Sequence, residues 1–180
     1  VPFVTSVLGE KAPGRPPAVR QLLMHRPSDG DAAAFGRDLY LARRRIEKRV
    51  DDLASVESGS FAIPSFSHRT IVYKGLVVPE LLPLLYPDLD DRRYKTAIGV
   101  FHQRYSTNTM PTWARAQPLR FVAHNGEINT LLGNINAMRA REPVLESDLW
   151  GEQLDDLTPV IDENGSDSMA LDAVLELLVR

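Results

Sequence analysis

"VFHQRYSTNTMPTWARAQPLRFVAHNGEIN", residues 100–129, does the same thing twice. "YKTAIGVF" (94–101) and "LRFVA" (119–123) read as strands, and each ends abruptly in polar residues, "HQRYSTNT" (102–109) and "HNGEIN" (124–129). A loop leaving a core does this for no chemical reason. A site that must hold negative charge does it for a definite one.

Upstream, "QLLMHRP" (21–27) reads as a short strand closed by Pro27, and "FAIPSFSHRTIVYKGLVV" (61–78) holds one or two more. From Asp31, the apolar positions Phe35, Leu39, Ala42, Ile46, Val50 and Leu53 recur at helical spacing, with Ser28 or Asp29 as cap and Glu57–Gly59 as the end. Pro79 suits the first turn of a short helix that "PDLDD" terminates. "EINTLLGNINAMRARE" (127–142) is helical despite Gly133. "SDSMALDAVLELLVR" (166–180) opens a helix with Ser166 as N-cap and Asp167 in the first turn. Strands and helices mix without regular βαβ alternation. That favours a layered α+β architecture over a doubly wound parallel sheet.

The composition is that of a soluble globular domain, 43% hydrophobic and 25% charged over 180 residues. A net charge of −3 gives no general attraction to nucleic acid or to an anionic membrane, so neither is expected as a partner. The basic run "ARRRIEKRV" (42–50) reads as a solvated helix face. With no cysteine, the chain holds no disulfide, thiolate metal site or thiol nucleophile, which is compatible with a reducing cytosol. No stretch has the apolar length of a membrane span. Residues 1–19, rich in Pro and Gly from Lys11, read as extended and linker-like. The start at Val1 and an apolar helical pattern still running at Arg180 are the marks expected of a piece of something longer.

The polar ends form a coherent chemical set. Arg104 offers a planar fork for a carboxylate, with the Ser106 and Thr107 hydroxyls beside it. Asn125 can aim its side-chain NH₂, and Gly126 its backbone N–H, at one developing oxyanion. Asp167 can receive an ammonium group. A ligand with an α-carboxylate, an α-ammonium and a distal reactive carbonyl satisfies all three, and glutamine is such a molecule. Each residue also has a duller reading: a structural ion pair for Arg104, a turn for Asn125–Gly126, a first-turn acid for Asp167. His102 and His124 lack partners at metal-ligand spacing, so no metal is expected. A hydrolase pair of Ser106 and His102 has no nucleophile-elbow sequence behind it.

The long pattern from Val100 to Glu142, with "SFSHRTIVYKGLVVPELLPLLYPDL" (65–89) before it and "GSDSMALDAVLELL" (165–178) after it, resembles the glutaminase domain of the glutamate synthase large subunit, a class II glutamine amidotransferase. The resemblance implies an N-terminal-nucleophile hydrolase fold, a four-layer αββα sandwich incomplete at both ends, with residues 1–180 as a partial amidotransferase domain. It implies that Arg104 and Thr107 take the glutamine α-carboxylate, Asp167 the α-ammonium, and Asn125 and Gly126 the oxyanion. It assigns no role to Glu127 or Asn129. It further implies a cytoplasmic enzyme whose synthase domain, outside this segment, carries FMN and an iron–sulfur cluster. Electrons there come from a donor subunit or ferredoxin, and ammonia goes to 2-oxoglutarate. The family nucleophile is a terminal Cys, absent here, so the isolated chain is expected to be inactive and prone to self-association. The alternative is a non-catalytic glutamine-binding or regulatory module of the same fold.

Overall fold

Asp31, rather than Ser28 or Asp29, caps the longest helix: its carboxylate accepts the Ala34 N–H at 2.9 Å. The computed structural model describes residues 18–56, 60–103 and 112–180. The helix, α1, runs Ala32–Asp51 and stops short of the predicted end. Its buried face carries Gly36, Leu39, Tyr40 and Arg43, spaced i, i+3, i+4, i+7, so the apolar stripe is rotated from the one expected; Ile46 and Leu53 stay exposed.

The basic run of α1 is not a solvated face. Arg43 is almost completely buried, Arg44 bonds the Pro159 carbonyl at 2.6 Å, Arg45 the Asp156 carboxylate at 2.8 Å, and Lys48 the Asp155 carbonyl at 2.7 Å. These contacts fasten α1 to the segment around the short helix α4, Leu154–Leu157. Tyr40, Leu41, Trp150 and Leu157 form the core beneath them, with Tyr40 edge-on to Trp150.

Pro79 opens a 3₁₀ turn that leads into α2, Leu82–Leu85, and a second 3₁₀ turn over Pro87–Asp90 ends it, as its prolines predict. Leu85 and Tyr86 form a small core with Tyr73, Val77 and Trp113. The third core gathers Ile135 of α3 (Leu131–Arg141), Val160, Ile161 and Ala170 of α5 (Asp167–Val179). Leu177 of α5 packs against both this core and that of α1.

Gly133 is required by α3 rather than merely tolerated. Thr130, which precedes the helix, has φ +64°, a left-handed conformation rare for a β-branched residue, and a Cβ on Gly133 would lie 2.8 Å from Thr130 Cγ2.

The expected strands at 21–27, 61–78, 94–101 and 119–123 are not formed. Among the described residues there is no sheet, so the two inner layers of the αββα sandwich are absent from them. A strand needs a neighbour to take its N–H groups, and here side chains take them instead. Val72 N–H donates to Ser65 Oγ at 3.1 Å. Phe121 and Val122, consecutive residues whose N–H groups would point oppositely in a strand, both donate to one oxygen of Asp172. Ile98, Val100 and Phe101, which a sheet would cover, are exposed.

Candidate active site

Helix α5 builds the site by an unusual choice of buried face. Ser166 caps it by accepting the Met169 N–H at 3.2 Å, as the sequence predicts. Ser168, Asp172 and Glu176 then follow at i, i+4, i+8, all buried, in a helix otherwise rich in Leu, Val and Ala. Buried polar groups of this kind persist only when satisfied, and the segment 119–128 satisfies them.

At the helix start, Asp167 Oδ2 accepts the Ile128 N–H at 2.9 Å, and its Oδ1 accepts the Ser168 N–H at 2.6 Å and the Ser168 hydroxyl at 3.1 Å. Ser168 Oγ also lies 2.7 Å from His124 Nε2. Gly126 N–H donates to His124 Nδ1 at 3.2 Å, so Nε2 carries the ring hydrogen and donates to Ser168. One connected set of hydrogen bonds thus joins Gly126, His124, Ser168, Asp167 and Ile128 around the His-Asn-Gly turn. Burial alone would raise the Asp167 pKa. The Ile128 and Ser168 N–H groups, the Ser168 hydroxyl and the His124 ring together outweigh it and hold the carboxyl below its usual range.

Deeper along α5, Asp172 Oδ1 accepts Phe121 N–H at 2.7 Å and Val122 N–H at 2.9 Å, with the Arg120 guanidinium 3.7 Å from Oδ2. Arg120 Nε donates to Glu176 Oε2 at 3.0 Å, and Arg43 Nη2 to the same oxygen at 2.6 Å. Arg43 is held in turn by Glu47. The site is therefore tied to the core through alternating charges.

Of the residues expected from the sequence, Asn125, Gly126 and Asp167 are brought to one place. Arg104 and Thr107, with Ser106, lie outside the described residues. His124 belongs to the hydrogen-bonded set just described. Asn125 and Gly126 are exposed, and neither has positive φ, so they are not the two-residue hairpin turn that an Asn-Gly pair most often makes. Among the described residues a Cβ on Gly126 would meet only His124 Nδ1, at 3.7 Å, so nothing in them demands glycine there. The open hollow of about 410 Å³ lined by Glu142, Leu145, Leu154, Asp155 and Pro159 takes no residue from this site. No group of three or more metal-binding side chains occurs among the described residues.

Ser168, Asp172, Glu176 and Arg120 were missed by sequence reasoning. The signal was present in "SMALDAVLELL" (168–178): three polar residues four apart on one side of an apolar helix.

The turn at Asn125–Gly126 is thus hydrogen-bonded to the acidic start of α5, and the chain belongs to the class II glutamine amidotransferases, whose family model matches residues 1–180. It is similar to the glutamate synthase (NADPH) large chain of Azospirillum brasilense, 45% identical over 100% of this chain and 12% of that protein. It is 46% identical to the ferredoxin-dependent glutamate synthase 2 of a Synechocystis strain, over 100% of this chain and 11% of that protein. The glutamate synthase (NADH) of Saccharomyces cerevisiae is 44% identical over 99% of this chain and 8% of its own length. The chain thus spans about an eighth or less of these relatives. No helix among the described residues is long and apolar enough to cross a membrane.

Proposed function

We propose that residues 1–180 are the glutamine-binding and oxyanion part of the glutaminase domain of a glutamate synthase, in the N-terminal-nucleophile αββα sandwich. The reaction is hydrolysis of the glutamine side-chain amide to glutamate and ammonia, the ammonia passing to 2-oxoglutarate. The observation that supports this reading is the hydrogen-bonded frame that links Gly126 to Asp167 through His124 and Ser168, with Asn125 exposed next to Gly126 and the Asp167 carboxyl held below its usual range. A carboxylate has about four acceptor sites, and Asp167 uses three within the chain. The fourth suits the α-ammonium of glutamine. Arg104 and Thr107 take the α-carboxylate at the other side of the ligand.

Gly126 N–H is engaged by His124, but that bond is a long one between neutral groups. A charge-assisted bond to an oxyanion is about twice as strong, so the developing charge displaces the imidazole. The nucleophilic thiol that the family implies is not among these residues, since the chain has no cysteine. The isolated chain is accordingly inactive in this account, because binding and oxyanion stabilisation without the attacking group leave only residual catalysis. FMN and the iron–sulfur cluster belong to a synthase domain elsewhere; cluster ligation needs thiolates, and none exists here. Its electrons come from a donor subunit or ferredoxin, and the setting is the cytoplasm, with neither nucleic acid nor membrane as partner. The absence of cysteine also supports a second reading, a non-catalytic glutamine-binding or regulatory module.

Calorimetric titration of L-glutamine into the chain and into Arg104→Ala and Asp167→Asn tests the assignment. Saturable binding of L- but not D-glutamine, weakened at least tenfold by either substitution, supports it. Binding unchanged by both substitutions overturns it. Reaction of a longer polypeptide containing these residues with an electrophilic glutamine analogue separates the two readings, since only the enzyme forms a thioether.

A further inference from the structure

The oxyanion turn is closed by the long bond from Gly126 N–H to His124 Nδ1 and depends on its neighbours for its shape. Asn125 and Gly126 are exposed, no ladder supports the segment before them, and the described residues contain no sheet. Alongside the Leu119 N–H bond to the Val122 carbonyl within it, one buried carboxylate holds that segment to α5. Asp172, 2% exposed, accepts the N–H groups of Phe121 and Val122, three and four residues before Asn125. Its charge is matched by Arg120, the residue immediately before them, which Glu176 also holds.

We propose that Asp172 is a positioning residue for glutamine hydrolysis: it pins Phe121 and Val122 so that Asn125 and Gly126 face the reacting carbonyl. The inference rests on the reading of Asn125 and Gly126 as oxyanion donors. Two features separate it from a general packing role. The carboxylate bonds main-chain groups of the site segment, not side chains of the core. It also reaches the turn from one helical turn beyond Ser168, so the two residues hold the turn at both ends, Asp172 before it and Ser168 through His124. A shift of the turn of even 1 Å misplaces donors that act only at close range on developing charge. Asp172 has no role in holding the amino-acid end of glutamine, so its loss acts on turnover and not on affinity.

The test uses the full-length polypeptide that contains these residues, assayed for glutaminase turnover, with Asp172→Ala and Asp172→Asn as variants. The Asn side-chain oxygen can still accept both N–H groups, so it serves as the conservative rescue. Expected are a loss of at least tenfold in kcat for Asp172→Ala with KM for glutamine within about twofold, and kcat for Asp172→Asn recovered to within fivefold of wild type. Hydrogen exchange of the wild-type polypeptide needs no variant: the Phe121 and Val122 amides are expected to exchange at least a hundredfold more slowly than those of residues 98–101. An unchanged kcat in Asp172→Ala, a KM rise that accounts for its whole loss, or unprotected Phe121 and Val122 amides each overturns the inference. If Asp172→Ala does not fold, Asp172→Ser, whose hydroxyl is too short to reach both N–H groups, takes its place in the same kcat and KM comparison. A wild-type polypeptide without glutaminase activity overturns the underlying reading as well, and is told apart because it fails before any substitution is made.

Discussion

Replacing Glu176 by Ala removes the acid that joins α1 to the site segment. Its carboxylate receives Arg43 Nη2 at 2.6 Å and Arg120 Nε at 3.0 Å, and the Arg43 and Glu176 side chains are each only 3% exposed. Taking one partner from a buried pair costs about 3–5 kcal/mol, because the remaining charge is stranded away from water. Arg43 keeps Glu47, whose oxygens sit 2.7 and 2.6 Å from Nη1, and Arg120 keeps Asp172 and the Ile63 carbonyl. The loss therefore falls at the lower end, about 3 kcal/mol, a large fraction of the roughly 5–15 kcal/mol that holds a domain together. In urea, with a slope of about 2 kcal/mol per M, the midpoint drops by about 1.5 M with the slope unchanged. The paired change Arg43→Met with Glu176→Met removes both charges together, and its loss is expected to be smaller than that of Glu176→Ala alone. A Glu176→Ala loss below about 1 kcal/mol, or a double variant less stable than the single, would refute the buried-network reasoning.

Gly126→Ala is expected to leave the stability measured in urea within about 0.5 kcal/mol of wild type, since among the described residues its Cβ meets only the imidazole at 3.7 Å, while weakening glutamine binding or turnover at least tenfold; equal activity would show that no ligand approaches there. Gly133→Ala, which in an ordinary helix interior gains about 1 kcal/mol, is expected to destabilise because of Thr130 Cγ2, and Thr130→Gly should restore it; thermal melts of the three variants check the sign. Burial lowers the Lys74 pKa to about 8, Arg120 adding to the shift and Asp172 opposing it. The native state then binds fewer protons than the unfolded chain between about 8 and 10.5, so this group makes stability rise with pH across that window, by on the order of 2–3 kcal/mol. Lys74→Met should abolish that rise, and parallel urea midpoints for wild type and variant at pH 7 and 10 would contradict it.

The helices were legible because their signals are local. Ser166 and Pro79 act within one turn of themselves, and the structure uses both as the sequence implies. The α1 face was misjudged by a rotation because Arg43 counts as polar in a sequence yet is buried when Glu47 and Glu176 neutralise it. The strands at 94–101 and 119–123 were overread for a related reason. β-branched and aromatic residues state a preference for extended backbone, not the existence of a neighbouring strand, and here Asp172 takes the Phe121 and Val122 N–H groups. Asn125, Gly126 and Asp167 stood out because their chemistry is complementary, and the structure joins Gly126 to Asp167 through His124 and Ser168 although the two lie 41 residues apart. Asp172 and Ser168 did not, because their one signal, polar residues four apart on an apolar helix, marks a buried polar face without saying what it holds.

The claim on which the account depends is that the His-Asn-Gly turn and Asp167 face one amino-acid-sized ligand. Titration of L-glutamine followed at the backbone amides of Gly126 and Ile128, which bond His124 and Asp167 respectively, measures it directly. Both amides are expected to shift along a single saturation curve, and Asp167→Asn to remove the response at both. Shifts at one amide without the other, or an unaltered response in Asp167→Asn, would contradict it.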